Sequence, residues 1–428
     1  MCMKRKTTFF TSLSLFGFSM TIAILTGQQA PSEAPAGFDT PTLQTANAGS
    51  QSISNGISEP AGDSFARDQQ VFEAREDSRL GLGPVFNATS CSECHQNPVT
   101  GGASQITEIR VGHTDDNGNF VNPAVPINGG TISGRSVIND RAICPDVQEH
   151  VPESENIRTL RAVLNTLGDG FIEAIDDNTL IGIANNQPNL SGGEINGEAI
   201  QVPILEAPGQ TRIGRFGWKD QHGSLLSFTA DAYLNEMGVT SRLKPSDTTT
   251  ICKITADPED APDELGMANI DHFAQFIRGT KVPPRDTALA ARPEAQAGQT
   301  IFENIGCNIC HVESITTAPA GTMLDGGTFL VPDALGNKVI HPFSDFLLHD
   351  IGTGDGIVQA APQDTAAKLR TTPLWGLRMK ARFMHDLTSL TLERAIARHA
   401  GEARHVAKQF RGLTASDKSA LIAFLKSL

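Results

Sequence analysis

The sequence is poor in charged residues, tyrosine and tryptophan. Its 428 residues include one tyrosine and two tryptophans, and charged residues make up 19%. The net charge of -14 excludes the basic face that phosphate binding requires, so nucleic acid is not an expected partner. After residue 26, no apolar run is long enough to span a bilayer. With 39% hydrophobic residues and a length sufficient for two domains, the chain is expected to be globular.

Residues 1–30 have the pattern of a secretory signal. Basic residues at positions 4–6 precede a largely apolar run at 7–26, and small residues follow. The pattern predicts export to the periplasm with cleavage near Ala30 or Ala36, and an uncleaved membrane anchor is the alternative. Residues 31–64, rich in Ser, Gly, Ala and Pro, are predicted to be a flexible lead-in.

Four of the seven cysteines fall in two identical C-x-x-C-H patterns. Each pattern holds two cysteines and an adjacent histidine: Cys91, Cys94 and His95 in CSECH, and Cys307, Cys310 and His311 in CNICH. C-x-x-C-H is the attachment signal for c-type haem, because two thiols bond the vinyl groups of one porphyrin while the histidine binds its iron. A zinc site would need four ligands held together, and a redox dithiol does not require the histidine. The chain is therefore predicted to carry two covalently bound c-type haems.

Cys144 and Cys252 remain after the haem patterns are assigned. They lie 108 residues apart in a chain predicted to be exported. In that compartment the pair is a candidate disulfide, and two separate buried thiols are the alternative. The spacing alone does not choose between them.

Two helical patterns, each leading into a C-x-x-C-H motif, indicate two haem domains in tandem. The first is FARDQQVFEARED and the second AQAGQTIFENIG, and the last residues of the chain form another apolar helical stripe. The predicted fold is mainly α, with two cytochrome-c-like haem domains at 65–285 and 286–428. The first carries long loop-rich insertions. Phe302 and Phe424 are the predicted contact between the first and last helices of the second domain.

Four stretches carry a family resemblance: GLGPVFNATSCSECH, GRFGWK…NEMGVTS, PFSDFLLHDIGTG and TTPLWGLRMKARFMHDLTSLTLERAIARHAGEA. They fall within residues 80–404. Through them the chain resembles the bacterial di-haem oxidoreductases, which are assigned as peroxidases or labelled CxxC-containing thiol oxidoreductases. It is more distantly similar to di-haem cytochrome c peroxidases. The thiol label is discounted here because cysteines bonded to haem are not free for dithiol exchange.

The resemblance implies two cytochrome-c-like helical domains packed face to face. In the peroxidases the second haem stores electrons and the first meets hydrogen peroxide. A small redox protein, such as a cytochrome c or a cupredoxin, is the implied electron donor. Calcium lies between the haems in those relatives, with ligands that are partly backbone, so no calcium ligand is assigned here. The alternative function is a di-haem electron-transfer cytochrome without peroxidase activity.

The resemblance also implies roles for single residues. Trp218 falls where the peroxidases carry the tryptophan between their haems, and a large core residue is the alternative reading. Glu236 falls at their catalytic glutamate, a group suited to moving a proton between peroxide oxygens. The alternative is a surface glutamate at a helix end. Phe228 lies near the position of a peroxidase glutamine, and its ring cannot hydrogen-bond peroxide.

His113 lies 18 residues after His95. The peroxidases have a histidine at similar range that caps the first haem when the enzyme is oxidised. By that resemblance His113 is a candidate iron ligand. A histidine in a surface loop is the alternative.

The stretch ARFMHDLTSLTLERAIARHA contains three candidates for the sixth ligand of the second iron. A helix beginning at Thr391 places His399 on one face with its apolar residues, and His399 is the preferred ligand. Met384 is the alternative, and His385 is predicted to form hydrogen bonds near the haem interface. Two histidines on this iron should lower its reduction potential relative to a His/Met pair.

The segment PFSDFLLHD supplies Asp345, His349 and Asp350. These residues are predicted either to form a hydrogen-bonding network around a haem edge or to lie in a solvated turn that caps a helix. The sequence favours neither.

Overall fold

In the computed structural model, helices and many short strands alternate along the chain. The structure describes Met1 and residues 30–37 and 54–428. The chain divides into Met1–Ala30 and Pro31–Leu428. The first unit contains the predicted signal, which lies outside the described residues except at its two ends. No helix in the described ranges has the length and apolar character needed to cross a bilayer.

Ten α-helices lie in the part of the chain that the structure describes. Their bounds are α1 Phe65–Glu73, α2 Asp169–Glu173, α3 Asp177–Ser191, α4 Leu225–Met237, α5 Asn269–Gly279, α6 Thr287–Ala290, α7 Pro293–Asn304, α8 Leu392–Ala397, α9 Arg404–Gly412 and α10 Ala415–Leu425. The side chains of Ser64 and Thr414 accept N–H bonds at the starts of α1 and α10 and so cap these helices. The predicted helices before each C-x-x-C-H motif and at the chain end are confirmed.

The strands are short. Their bounds are β1 Ser32–Glu33, β2 Val85–Phe86, β3 Thr107–Thr114, β4 Phe120–Val121, β5 Val125–Ile127, β6 Gly130–Ile132, β7 Val137–Ile138, β8 Arg141–Ala142, β9 Ile157–Ala162, β10 Gln201–Pro203, β11 Thr211–Ile213, β12 Ile315–Thr316, β13 Met323–Leu324, β14 Phe329–Leu330, β15 Lys338–Ile340, β16 Leu348–His349 and β17 Leu369–Arg370. Helices make up 30% and strands 16%, so the prediction of a mainly α fold is wrong. Strands of two or three residues are too short to show an alternating pattern, so the sequence predicts loop at these positions.

The longest strand pairing builds one side of the site. β3 pairs antiparallel with β9 in a register that runs from Thr107 opposite Ala162 to Gly112 opposite Ile157. β3 also pairs with β4 and β7. Successive side chains of a strand point to opposite faces. Ile109 and Val111 therefore face an apolar cluster, while Glu108 and Arg110 face the other way.

Helices α7 and α10 pack closely beside the second C-x-x-C-H motif. The rings of Phe302 and Phe424 lie 5.2 Å apart, which confirms the predicted contact. A Cβ at Gly298 would come within 2.0 Å of the Ala420 carbonyl, so only glycine allows this approach. The ring of Phe302 also lies 6.2 Å from that of His311.

The largest apolar cluster contains residues from both sides of the predicted domain boundary. Phe72 and Phe273 precede residue 286, and Phe346 and Trp375 follow it. The boundary itself stays a prediction. Ser32 and Glu33 of the predicted lead-in form β1, which pairs in parallel with β15.

Candidate active site

The two C-x-x-C-H motifs adopt the same local structure. Each begins with a 3₁₀ turn, over Cys91–Glu93 and Cys307–Ile309. In each, the backbone N–H of the histidine donates to the carbonyl of the first cysteine, at 3.0 Å in the first motif and 2.9 Å in the second. None of the four cysteines is in a disulfide. Burial raises the pKa of Cys91 and Cys94 to about 12, so neither supplies a thiolate for dithiol exchange at neutral pH.

A large apolar cavity lies against the second motif. Its volume is about 520 Å³, within the range of about 300–1,000 Å³ for ligand pockets. Cys307, Cys310 and His311 line it, and so does His399. The cavity thus brings the second motif and the predicted sixth ligand together.

Hydrogen bonds orient both of these histidines. Nδ1 of His311 lies 3.0 Å from the Phe343 carbonyl oxygen, and Nδ1 of His399 lies 2.9 Å from that of Ala395. A carbonyl only accepts, so each Nδ1 carries the proton and each Nε2 keeps a lone pair for a metal. Burial lowers the pKa of His311 to about 4, with His399 adding to the shift, and burial also lowers the pKa of His399. Both imidazoles are therefore neutral, the form that binds iron.

Helix α8 is shorter than the apolar periodicity suggests. Thr391 caps it as predicted, but it ends at Ala397, two residues before His399. The backbone N–H of His399 still donates to the Ile396 carbonyl, at 3.1 Å. Met384 lines the same cavity from a loop in which its φ is 71°. Both candidates for the sixth ligand therefore line the cavity. The hydrogen bond from Nδ1 to the Ala395 carbonyl orients the ring of His399 and leaves its Nε2 able to bind a metal.

The first motif contains a buried imidazole nitrogen that has no hydrogen-bond partner in the described part of the chain. Nδ1 of His95 is buried and has no hydrogen-bond partner among the described residues. Burial lowers the pKa of His95 to about 4, although the backbone of Gly102 and Leu164 opposes the shift. The ring of Phe72 packs 6.2 Å away. The neutral imidazoles at both motifs, with the apolar cavity at the second, fit two haem groups.

Trp218 lies in the wall of the cavity that the second motif lines. The wall also includes Asn97 and Gln105, in the loop that follows the first motif. The indole Nε1 donates to the Ala162 carbonyl at 2.8 Å, so β9 fixes the ring. Its role as a bridge stays a prediction, and its contacts also fit the alternative of a packing residue.

Glu236 lies near the end of α4 and close to the first motif. Asn87 Nδ2 donates to its Oε2 at 2.8 Å, and its carboxyl also hydrogen-bonds that of Glu108. Burial, followed by the charge of Glu108, raises the pKa of Glu236 to about 8. The backbone N–H groups of Asn87 and Ala88, just before the first motif, donate to the Glu236 carbonyl at 2.7 and 3.1 Å, which places this residue near the motif. Glu236 is half-buried, and its carboxyl is held by Asn87 and Glu108; its catalytic role stays a prediction.

Glu108 is a residue that the sequence analysis missed. Arg110 Nη2 lies 3.0 Å from its Oε2, and this ion pair lowers the pKa of Glu108 against the effect of burial. One carboxyl of the pair is thus ionised and the other, Glu236, holds a proton. The alternation in TEIR, with Glu and Arg two residues apart on a strand, was the available signal.

His113 lies on β3 but on the face opposite to Glu108 and Arg110. Its Nδ1 lies 2.9 Å from Oε2 of Glu155, and its side chain is 37% exposed. The structure does not bring it to the group of residues around Glu236. Its role as an iron ligand stays a prediction, and the contact with Glu155 explains its position without one.

Phe228 lies on α4, two turns before Glu236. Its ring packs 6.2 Å from that of Phe216 and 5.6 Å from that of His222. It offers no hydrogen bond to a substrate.

A buried polar network adjoins Cys310. Nε2 of His349 lies 2.8 Å from Asp345 Oδ2, and its Nδ1 lies 2.8 Å from Glu402 Oε2. Gln187 donates to the same Asp345 oxygen at 2.6 Å. Burial opposes protonation of His349, but Asp345 and its other neighbours raise its pKa well above the usual value. This is a buried network and not a solvated turn, and the sequence analysis missed Glu402 and Gln187.

Asp350, the third candidate of this segment, contacts the network through its backbone. Its N–H donates to Oε1 of Glu402 at 3.0 Å, and its carbonyl accepts from the Glu402 N–H at 2.9 Å.

Cys144 and Cys252 form a disulfide with their Cα atoms 6.4 Å apart. It closes a loop within the segment before the second motif.

Comparisons with solved structures give low overall similarity. Hydrazine synthase of Kuenenia stuttgartiensis is 14% identical with a TM-score of 0.41, covering 98% of this chain and 100% of its own. A MauG-like protein associated with microbial copper homeostasis is 17% identical with a TM-score of 0.30, covering 61% and 89%. The dihaem peroxidase BthA of Burkholderia thailandensis is 14% identical with a TM-score of 0.29, covering 93% and 94%. Because these scores are below 0.5, no argument rests on them.

The search of curated proteins gives no significant match. The family comparison is decisive. Residues 139–428, more than half of the chain, match the family described as "Di-haem oxidoreductase, putative peroxidase". This confirms the resemblance found in the sequence and implies haem cofactors. The chain belongs to the di-haem oxidoreductase family.

Proposed function

We propose that this protein is an exported di-haem enzyme that reduces hydrogen peroxide or uses it to oxidise another substrate. Electrons pass from the haem of the second motif to that of the first. The observation that carries the proposal is the position of Trp218, in a cavity wall shared by the second motif and the loop after the first. Membership of an oxidoreductase family supports the same reaction class.

Two haems are held covalently in this proposal. Cys91 and Cys94 bond the first, and Cys307 and Cys310 bond the second, as the C-x-x-C-H pattern requires. The histidine of each motif would be a ligand of one haem iron, and His399 would be a further ligand of the second. When bound, the haem irons supply the one-electron redox chemistry that amino-acid side chains lack.

Trp218 shortens the gap between the two haem sites. Its indole is fixed by the hydrogen bond to Ala162 and by contact with His385, at a ring distance of 6.0 Å. A ring held in one orientation gives an electron a constant path. Trp375, the other tryptophan, is buried in the main apolar cluster and is assigned a packing role.

Glu236 supplies a proton at the first site. Reduction of one hydrogen peroxide to two waters consumes two electrons and two protons. With a pKa of about 8, Glu236 is protonated at neutral pH and can act as a general acid. Asn87 orients the carboxyl, and the charge of Glu108 favours its protonated state against the opposing charge of Arg110.

The electrons come from a small redox protein, such as a cytochrome c or a cupredoxin. The net charge of -14 suits a donor with a basic docking face. The N-terminal signal pattern supports delivery to the periplasm, where c-type haem is attached.

Spectra of the haem-loaded protein test the enzyme against the electron-transfer alternative. We expect the reduced protein to bind carbon monoxide and to change its spectrum when peroxide is added, with consumption of donor electrons. An electron-transfer cytochrome has both irons permanently six-coordinate and responds to neither reagent. Absence of both responses, before and after full reduction, would exclude the peroxidase proposal. Mass spectrometry of the denatured protein should find two haems still attached.

A further inference from the structure

Arginine and lysine side chains line the large apolar cavity beside the second motif. They belong to Arg370 of β17 and to Lys380 and Arg382, which follow it in the chain. Within the described part of the chain, no aspartate or glutamate lines this cavity. The chain has 48 acidic and 34 basic residues, so a wall with basic side chains and no acidic ones runs against its composition. The wall is therefore suited to an anion.

Arg370 and Lys380 lie close to each other. Both line a small side cavity together with Thr372 and Asp169. Burial, followed by the charge of Arg370, lowers the pKa of Lys380 to about 8. Two like charges in an apolar wall repel each other, and both have lost part of their hydration. A bound anion would reduce both penalties.

The charge of Lys380 has no partner. Its ammonium group forms no hydrogen bond or ion pair with any residue that the structure describes. Burial and the like charge of Arg370 both act against its protonated form. The half-buried Lys380 is thus free to bind an anion in the cavity.

Arg370 is buried, and its charge is only partly balanced. Its Nη1 donates to the Arg215 carbonyl at 2.6 Å. Its Nε has no hydrogen bond within residues 54–428 or the other described positions, and it lies 3.7 Å from Asp220 Oδ1. Burial raises the pKa of Asp220 well above its usual value and that of Asp169 to about 7, in both cases against the effect of Arg370. Neither acid therefore fully neutralises Arg370.

We propose that Arg370 and Lys380 bind a propionate of the second haem. The porphyrin bonded to Cys307 and Cys310 carries two propionates, and the cavity that these cysteines line offers the two cations. Charge-assisted hydrogen bonds to a carboxylate are among the strongest in proteins, and the fork of an arginine matches its geometry. The inference rests on the haem attachment in the proposed function and is independent of peroxide use.

Arg370 would also link this propionate to the proposed electron path. Its backbone N–H donates to the Trp218 carbonyl at 2.9 Å. The residue that binds the carboxylate is thus hydrogen-bonded to the tryptophan in the cavity wall. The positive charges of Arg370 and Lys380 would in addition favour the reduced form of the second haem.

Vibrational spectra of the haem-loaded protein test the contact directly. Propionate bands in the resonance Raman spectrum shift when the carboxylate gains or loses hydrogen bonds. We expect a shifted propionate band in Lys380→Met and in Arg370→Gln. Lys408→Met removes an exposed lysine that does not line the cavity, and it should leave every propionate band in place.

The reduction potential of the second haem supplies another measurement. Loss of a cation beside a haem disfavours the added electron and lowers the potential. In a spectroelectrochemical titration of Lys380→Met, the ratio of reduced to oxidised second haem at a fixed applied potential should fall at least about fivefold. Lys380→Arg keeps the charge and should restore most of this ratio. The first haem should not change in either variant.

Unshifted propionate bands in either Lys380→Met or Arg370→Gln would overturn the proposal, even with a changed potential. If the variants lose the second haem, a crystal structure of the native haem-loaded protein decides. We expect a propionate oxygen within about 3.2 Å of Lys380 Nζ or of an Arg370 guanidinium nitrogen, and both propionates elsewhere would contradict the contact.

Mass spectrometry of the native protein separates this inference from the proposed function. A native protein without haem on Cys307 and Cys310 would refute the haem attachment itself, and the inference with it. A native protein with that haem and with propionate bands insensitive to both substitutions would refute the inference alone. Peroxide turnover enters none of these measurements.

Discussion

Trp218 and His385 both form a hydrogen bond with the backbone of Ala162, and their rings lie edge to face. Their ring centroids are 6.0 Å apart. Ala162 donates its N–H to the His385 carbonyl at 2.6 Å and accepts from the indole of Trp218 at 2.8 Å. The last residue of β9 thus fixes both rings at the cavity. This arrangement gives the proposed electron path a single geometry.

Replacing Trp218 with phenylalanine should slow electron transfer between the haems. The smaller ring loses the Ala162 hydrogen bond and widens the gap. We expect the rate to fall at least roughly tenfold, equivalent to about 1.4 kcal/mol in the barrier. Stopped-flow reduction of the haem-loaded protein measures it. Trp375→Phe is the matched control, and equal rates in the two variants would remove Trp218 from the path.

Glu236→Gln should lower peroxide turnover while leaving haem content unchanged. A glutamine keeps the shape but cannot transfer the proton, and general acid catalysis contributes about 10²- to 10⁴-fold. Exposed Glu153 provides the control variant, Glu153→Gln. Steady-state turnover with a fixed donor gives the comparison. Native turnover in Glu236→Gln would contradict the assignment.

The pH dependence of turnover should report the same carboxyl. Its pKa is raised to about 8, so the proton-donating form is full below that pH and is lost as pH rises through it. Turnover of the native protein should therefore decline on the alkaline side near pH 8. In Glu236→Gln this decline should disappear. A decline that persists unchanged in the variant belongs to another group.

His399→Met should raise the reduction potential of the second haem. Methionine in place of histidine favours the reduced iron, and axial ligands span a range of about 0.8 V. We expect a rise on the order of 0.1 V and a new far-red band in the oxidised protein. Met384→Leu should change neither property. If Met384→Leu abolishes a band that the native protein already shows, methionine is the ligand instead.

Removal of the Cys144–Cys252 disulfide should destabilise the protein. The bond joins residues 108 positions apart, and loops of that length give about 2–4 kcal/mol. Denaturant unfolding with and without a thiol reductant measures the loss in free energy of unfolding. The Cys144→Ala/Cys252→Ala variant should be insensitive to the reductant. A native protein with the same insensitivity would show that the bond adds no stability.

Local patterns in the sequence predicted the motif residues and several contacts. The spacing of Cys91, Cys94 and His95 is enough to predict covalent haem attachment, because the reaction needs these residues close together in the chain. Helical periodicity predicted the helices that carry Phe302 and Phe424, and the cytochrome-c-like arrangement of first and last helices predicted their contact. The motif and the helices depend on neighbours a few residues apart, which is the range that a sequence pattern records.

Only the tertiary structure decided the arrangements that join distant residues. β3 and β9 pair across more than 40 positions, and the contact of Glu108 with Glu236 and the anchor of Trp218 on Ala162 join segments that no local pattern connects. His272 reaches Asp68 from 204 positions away. The mainly α prediction failed for the same reason, since short strands are stabilised by partners elsewhere and not by their own pattern. The sequence by itself determined the two haem attachment motifs. The packing of distant segments decided which carboxylates and aromatic rings surround these motifs.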